Sequence, residues 1–176
     1  GEDRLSPGIW KQPEKRSKTH LYRKIKKGLF EIRFDSAFEH VIGNCSGLRD
    51  DTWISEGFKE AYTKLHKRGY AHSVECWQDG KLVGGLYGLS LGSAFFGESM
   101  FHLVSDASKV AFYYLVRQLQ SWDFTLLDCQ VNNEHLVSLG GEDIPREAYL
   151  LQLSFALKNE GRHGSWYDYS PKEVKL

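Results

Sequence analysis

The chain has 176 residues, of which 41% are hydrophobic and 14% aromatic, and this is enough for one well-packed domain with a small appendage. Its 23 basic and 23 acidic residues cancel, and a neutral total usually argues against a nucleic-acid-binding protein. No apolar run reaches 18 residues and the first ten residues lack an apolar core, which argues against a transmembrane helix and a signal peptide.

The first part of the chain predicts an irregular segment, a strand and two helices. Prolines and glycines interrupt residues 1–28, which are therefore expected to be mostly irregular. LFEIRF at 29–34 interleaves apolar and charged residues, as a strand does. Asp35 or Ser36 can then cap a first helix, and Ser55 can cap a second helix that has one apolar face and ends at a glycine.

The rest of the chain predicts a hairpin, two further strands and three helices. Asp79-Gly80 is a tight-turn signal between two alternating stretches, and FTLLDCQ is nearly all apolar, as expected for a strand buried on both faces. The predicted elements are strands at 71–77, 81–91 and 93–101, a helix capped by Asp106, a strand at 124–130, and helices at 132–141 and 145–158. The order β-α-α-β-β-β-α-β-α-α predicts an α/β fold of the α+β type. Its mixed sheet, with helices on both faces, resembles that of the GCN5-related N-acetyltransferases.

Basic residues are concentrated near the N-terminus. Residues 1–33 carry ten Lys or Arg against four Asp or Glu, whereas the remainder carries thirteen against nineteen. The densest run, RSKTHLYRKIKK at 16–27, is consistent with a phosphate-facing strip and also with a solvated, partly flexible arm.

FFGESMF, at 95–101, places an acidic residue inside an apolar strand. Two phenylalanines precede Glu98, and Met100 and Phe101 follow it. An unpaired carboxylate buried among such residues costs several kcal/mol. Glu98 is therefore interpreted either as a structural carboxylate that accepts backbone N–H groups or as a site group that recognises a cation.

LLDCQ, at 126–130, ends a buried type of strand with polar groups. Asp128 and Gln130 are two residues apart, so a regular strand places them on the same face. Open α/β sheets bind ligands at the carboxyl ends of central strands, although Asp128 could simply cap a turn and leave Gln130 exposed. Because two separate apolar strands end in acidic and amide groups, we expect one shared cleft containing Glu98, Asp128 and Gln130.

The sequence lacks the motifs of the common cofactor and metal sites. VGGLYG does not match G-x-G-x-x-G, no phosphate-binding G-x-x-x-x-G-K-[ST] occurs, and the [QR]-x-x-G-x-[GA] loop that binds coenzyme A is absent. Seven histidines form no ligand set, and three separated cysteines favour neither a disulfide framework nor a zinc knuckle. We therefore expect no metal, no cofactor and a reducing cytoplasm.

A series of short stretches, taken in order, resembles one known family. They are TWI (52–54), AY with LH (61–66), GYAHSVECW (69–77), LVGGLYG (82–88), FFGESMF, DASK (106–109), LLDCQ, HLVSLGG (135–141) and IPREAY (144–149). The resemblance is to the bacterial leucyl/phenylalanyl-tRNA–protein transferases and covers roughly residues 16–150. One departure is Asp106, where the family usually has Asn.

The resemblance implies a reaction and its partners. An enzyme of this family moves Leu or Phe from its aminoacyl-tRNA onto the N-terminal Arg or Lys of a protein, which marks that protein for degradation in the N-degron pathway. Matching positions imply that Asp128 and Gln130 are the catalytic pair, that Glu98 lies in the same cleft, and that Asp128 polarises Gln130 from behind. The substrate-binding positions would be Leu86, Phe95, Phe112, Tyr113, Leu127, Trp53 and Tyr62, and the tRNA-binding positions Arg16, Lys18, Arg23, Lys24, Lys26 and Lys27.

The expected organisation is a basic N-terminal segment at 1–28, as the remnant of a small N-terminal domain, a catalytic domain at 29–160 and a tail at 161–176. Two alternatives remain open: an acyl-CoA-dependent N-acyltransferase of the same fold, and an inactive module that binds tRNA or degrons. The missing coenzyme A loop argues against the first alternative. The presence of Glu98, Asp128 and Gln130 argues against the second.

Overall fold

The structure is a computed structural model of the chain, and it describes residues 8–10, 21, 23–25, 27–47, 55–130, 136–137 and 139–171. The strands are β1 (Gly8–Trp10), β2 (Glu31–Phe34), β3 (Ala71–Gln78), β4 (Lys81–Leu91), β5 (Ala94–His102), β6 (Leu126–Asp128) and β7 (Gly141–Asp143). The helices are α1 (Phe38–Gly47), α2 (Glu56–Lys67), α3 (Ala107–Ser121) and α4 (Arg146–Ala156), and a single 3₁₀ turn spans Tyr167–Tyr169.

The described strands form one mixed sheet with helices on both faces. The strand order is β2-β3-β4-β5-β6-β1-β7; β5 and β6 run parallel, and all other neighbours are antiparallel. Successive residues of a strand face opposite sides, so Leu86 of β4 packs under α3 whereas Tyr87 packs under α1. The predicted α+β fold is confirmed.

The hairpin of β3 and β4 forms where the sequence predicts it. Asp79 and Gly80 join the strands with φ of 49° and 74°, and two positive values are what a type I′ turn requires. The predicted strand bounds agree with the observed ones to within one residue for β3 and fully for β4. Local alternation and a strong turn signal were sufficient here.

Of the three predicted helix caps, one is confirmed, one is wrong and one is right in position only. Ser55 caps α2, since its side chain accepts a hydrogen bond from the backbone N–H of Phe58 at 3.2 Å. Asp35 or Ser36 was expected to cap α1, but Asp35 lies three residues before it and accepts from the backbone N–H of Ser73 at 2.9 Å, and the Ser36 hydroxyl donates to Glu75 Oε2 at 2.7 Å. Asp106 is the N-cap residue of α3, with a φ of 68°, but its side chain makes no capping hydrogen bond.

The described residues near both chain termini pack onto the sheet and its core. β1 pairs with β6 and β7, so a strand lies within the segment predicted to be irregular. Trp166 is 1% exposed; its ring stacks on His72 with centroids 3.7 Å apart, and its backbone N–H donates to Asp35 at 2.7 Å. Residues beyond 160 therefore contribute to the core. Half of the helix predicted at 132–141 lies outside the described residues. Of the other half, 136–137 are helical and Gly141 begins β7.

Candidate active site

Glu98 occupies a β-bulge. In the pairing of β4 with β5, Gly88 lies opposite Gly97 and Tyr87 lies opposite Ser99, which leaves Glu98 without a residue opposite it. A bulge inserts one residue into a strand and re-aims its side chain. The bulge therefore explains how a carboxylate can sit between Phe96 and Met100 without facing the core.

Gln130 follows the end of the neighbouring strand. β5 and β6 are paired as far as Phe96 and Asp128, and Gln130 lies two residues further on. Its φ is +62°, in the left-handed region that residues other than glycine rarely adopt. The prediction that Asp128 and Gln130 share a face of a regular strand is therefore wrong, because β6 ends at Asp128.

Asp128 contacts the backbone of Gln130. Its Oδ1 accepts a hydrogen bond from the Gln130 backbone N–H at 2.7 Å, a short-range contact typical of Asp in turns. The carboxylate is nearly buried, with the residue 6% exposed. Asp128 was expected to polarise the Gln130 side chain, but it contacts the Gln130 backbone instead. The observed hydrogen bond therefore fixes the backbone conformation of Gln130.

Glu98 contacts the side chain of Gln130. The Gln130 Nε2 donates to Glu98 Oε2 at 2.8 Å. Because an ionised carboxylate only accepts hydrogen bonds, the NH₂ group must face Glu98, and the Gln130 Oε1 must face away from it. The three predicted residues are therefore brought together, and the partner of Glu98 in this structure is an amide of the protein.

Tyr62 approaches Glu98 from α2. Burial, and to a smaller extent the nearby Glu98 carboxylate, raise the pKa of Tyr62 well above its usual value of 10.0, so its hydroxyl stays protonated at neutral pH. The Tyr62 ring stacks on Phe58 at 4.4 Å and meets the edge of Tyr87 at 5.6 Å. The aromatic position predicted to lie near the substrate thus adjoins the Glu98 carboxylate.

Tyr149 is a site residue that the sequence reasoning missed. Its hydroxyl donates to Asp128 Oδ2 at 2.7 Å. Burial and the hydrogen bond to Asp128 raise the pKa of Tyr149 well above 10.0. IPREAY contains this tyrosine, but nothing in that stretch indicates a partner 21 residues earlier. Burial, with a smaller effect of Asp128, also raises the pKa of the Cys129 thiol to about 12, which makes Cys129 a poor nucleophile.

The apolar candidates lie together on the α3 side of the sheet. Leu86, Phe95, Phe112 and Leu127 are buried in one cluster, and Tyr113 packs against it. Phe95 and Leu127 are register partners, one residue before the pair formed by Phe96 and Asp128. Trp53 lies outside the described residues.

The basic candidates are described only in part. Arg23 and Lys27 are exposed, whereas Arg16, Lys18 and Lys26 lie outside the described residues. Lys24 Nζ is 2.6 Å from Asp106 Oδ2 and also donates to the backbone oxygen of Ser105 at 3.5 Å. Its charge is therefore compensated within the protein.

In the described part of the chain, no group of three or more His, Cys, Asp or Glu residues is arranged to hold a metal ion. No helix of that part is both long and apolar enough to cross a membrane.

The fold is one that solved acetyltransferases share. A solved aminoglycoside acetyltransferase from an uncultured soil metagenomic sample, in complex with sisomicin, shares the fold with a TM-score of 0.50 at 12% identity, over 75% of this chain and 89% of that one. The predicted likeness to the acetyltransferase fold is confirmed by this comparison, which concerns the fold alone.

The family follows from the sequence comparisons. The profile of the family described as leucyl/phenylalanyl-tRNA protein transferase matches residues 10–154. A leucyl/phenylalanyl-tRNA–protein transferase of Myxococcus xanthus is 47% identical over 91% of this chain and 74% of its own length, and one of Legionella pneumophila strain Corby is 45% identical over 92% and 78%. The chain belongs to this family and is a transferase, as its motifs predict.

Proposed function

We propose that this protein transfers Leu or Phe from aminoacyl-tRNA to the N-terminal Arg or Lys of an acceptor protein. The observation that carries the proposal is the arrangement of Gln130, whose backbone is held by Asp128 and whose NH₂ group is held by Glu98. That arrangement leaves Oε1 as a fixed acceptor beyond the carboxyl end of β6, the strand that also carries Leu127 of the apolar cluster.

A fixed amide oxygen suits aminolysis of an ester. An α-amino group has a pKa of about 8, so a useful fraction is already neutral near pH 7. In our proposal the amine donates one N–H to Gln130 Oε1 and directs its lone pair at the ester carbonyl. The new C–N bond forms, the C–O bond to the terminal ribose breaks, and the proton lost by nitrogen leaves with the ribose oxygen. Because the ester is already activated, positioning supplies much of the acceleration and no covalent enzyme intermediate is needed.

Besides holding the Gln130 side chain, Glu98 is proposed to bind the Arg or Lys side chain of the acceptor protein. A carboxylate offers about four acceptor positions, of which Gln130 uses one. The remaining positions suit the guanidinium of Arg or the ammonium of Lys, and such charge-assisted bonds are roughly twice as strong as neutral ones.

The donor side chain is proposed to lie against the α3 cluster. Apolar and aromatic walls suit Leu and Phe, and one methylene more or less in such a pocket changes binding by only about 1–3 kcal/mol. The proposed wall consists of Leu86, Phe95, Phe112, Tyr113 and Leu127, with Trp53 and Tyr62 as further aromatic contacts.

The proposed tRNA contacts are the basic residues near the N-terminus. Exposed Arg23 and Lys27 are available to phosphates, and Arg16, Lys18 and Lys26 belong to the same run. Lys24 contributes less in this proposal, since Asp106 already neutralises it. Products with an N-terminal Leu or Phe would enter the N-degron pathway, and the three free cysteines fit a reducing cytoplasm.

A transfer assay tests the proposal. Labelled Leu-tRNA or Phe-tRNA is incubated with a protein that begins with Arg, with the same protein beginning with Ala as the matched control, and labelled acetyl-CoA is offered as the rival donor. We expect label from tRNA on the Arg-starting protein alone. Transfer from acetyl-CoA without tRNA, or binding of Arg-starting peptides without any transfer, would overturn the proposal.

A further inference from the structure

We propose that Tyr149 is a positioning residue of this site, which holds the Asp128 carboxylate so that Asp128 holds Gln130. The inference rests on the proposed function and adds to it a residue on a different helix. The geometry is a chain of two contacts: the Tyr149 hydroxyl lies 2.7 Å from Asp128 Oδ2, and Asp128 Oδ1 lies 2.7 Å from the Gln130 backbone nitrogen.

The Tyr149 ring is itself held by packing. Tyr149 and Leu153 of α4 pack against a cluster formed by Ala94, Leu126 and Ala156, all buried. Leu126 and Asp128 are two residues apart in β6 and share a face of the strand, so a ring packed against Leu126 places its hydroxyl beside the Asp128 carboxylate. The hydroxyl is therefore presented by a fixed support.

Gln130 needs such a support because of its backbone. Its left-handed conformation, with a φ of +62°, persists in a residue other than glycine only where its surroundings enforce it. A carboxylate bound through one oxygen only can rotate about its terminal torsion, whereas Tyr149 on Oδ2 keeps Oδ1 directed at the Gln130 N–H. The position of the reacting Oε1 thus depends on a hydroxyl that does not touch it.

Tyrosines from two helices adjoin the two carboxylates that hold Gln130. Tyr149 of α4 donates to Asp128, which holds the Gln130 backbone, and Tyr62 of α2 lies near Glu98, which holds the Gln130 side chain. Both tyrosine hydroxyls have a raised pKa and stay protonated at neutral pH.

The test compares Tyr149→Phe with Tyr114→Phe, which removes another half-buried tyrosine hydroxyl, on α3. A hydrogen bond to a charged group, once lost, lowers a rate that depends on it by roughly tenfold or more. We expect Tyr149→Phe to lower kcat by that factor with an unchanged KM for aminoacyl-tRNA, and Tyr114→Phe to change neither. In the Asp128→Ala background, Tyr149→Phe should have no further effect on kcat.

A second readout does not depend on activity. Backbone amide exchange of Gln130, followed by NMR, should accelerate roughly tenfold in Tyr149→Phe, because the N–H loses its fixed acceptor. Unchanged kcat and unchanged exchange would overturn the inference, as would a loss in kcat that multiplies with that of Asp128→Ala. If the wild-type protein fails to transfer, the proposed function falls, while the exchange measurement still decides whether Tyr149 positions Gln130.

Discussion

Two substitutions of Asp128 can separate the effect of its negative charge from the effect of the hydrogen bonds that it accepts. Its two oxygens accept from the Gln130 N–H and the Tyr149 hydroxyl, both at 2.7 Å. Asparagine can keep both contacts, because its oxygen still accepts from Gln130 while its NH₂ group donates to the tyrosine oxygen. Alanine keeps neither contact. The two variants therefore differ in geometry while both lack the charge.

The expected magnitudes follow from these two contacts. Asp128→Ala leaves a backbone N–H and a hydroxyl without partners in a site where Asp128 is 6% exposed. Each such group costs about 1–3 kcal/mol, so a total of roughly 2–6 kcal/mol would slow transfer by about 30- to 25,000-fold. Asp128→Asn weakens the contacts without removing them, and we expect a loss of about tenfold or less.

Single-turnover transfer of labelled Phe, with tRNA binding measured separately, distinguishes the variants. If Asp128 acts by position, Asp128→Asn should transfer at least roughly threefold faster than Asp128→Ala, and both should bind tRNA like the wild type. Equal rates in the two variants, with unchanged melting temperatures, would refute this reasoning and assign the effect to charge.

Three further predictions concern the rest of the structure. Asp106→Asn should release Lys24 for phosphate contact and steepen the salt dependence of tRNA binding by roughly 0.8 in log–log slope; an unaltered slope would show that Lys24 does not face tRNA. Burial raises the pKa of Glu75, so its favourable contribution to folding stability is present below the usual pKa of 4.5 and is lost as the pH rises through the folded-state pKa. Glu75→Gln should therefore stabilise the protein at pH 7 but not at pH 4. Equal effects on stability at the two pH values would contradict this. Trp166→Ala should cost about 3–5 kcal/mol in urea unfolding, whereas a loss of under about 1 kcal/mol would show that the stack on His72 is not formed in solution.

The sequence predicts elements that depend on local signals. β3, β4 and the Asp79-Gly80 turn follow from alternation and turn chemistry, and their bounds are nearly as predicted. β1 and β7 have three residues each, too few to show a period, and they exist because of their pairing with each other and with β6. Asp35 was predicted to cap a helix, but its long-range partners Ser73 and Trp166 are stronger determinants than any local preference.

In the site too, the features that depend on local sequence could be predicted, whereas those that depend on long-range contacts could not. Polar groups at the ends of two apolar strands were enough to predict that Glu98, Asp128 and Gln130 lie close together. Their contacts could not be predicted, because the bulge at Glu98 depends on register and the left-handed backbone of Gln130 departs from strand geometry. Tyr149 reaches the site only through the packing of α4.

The most direct test of the account is single-turnover transfer of Phe from Phe-tRNA to an Arg-starting peptide by Gln130→Ala at saturating tRNA. Gln118→Ala is the matched control, since Gln118 lies on α3 and its side chain donates a hydrogen bond to Ser121 of the same helix. We predict that Gln130→Ala slows transfer by roughly two orders of magnitude or more, with unchanged tRNA affinity, and that Gln118→Ala transfers normally. Wild-type rates in Gln130→Ala would contradict the account.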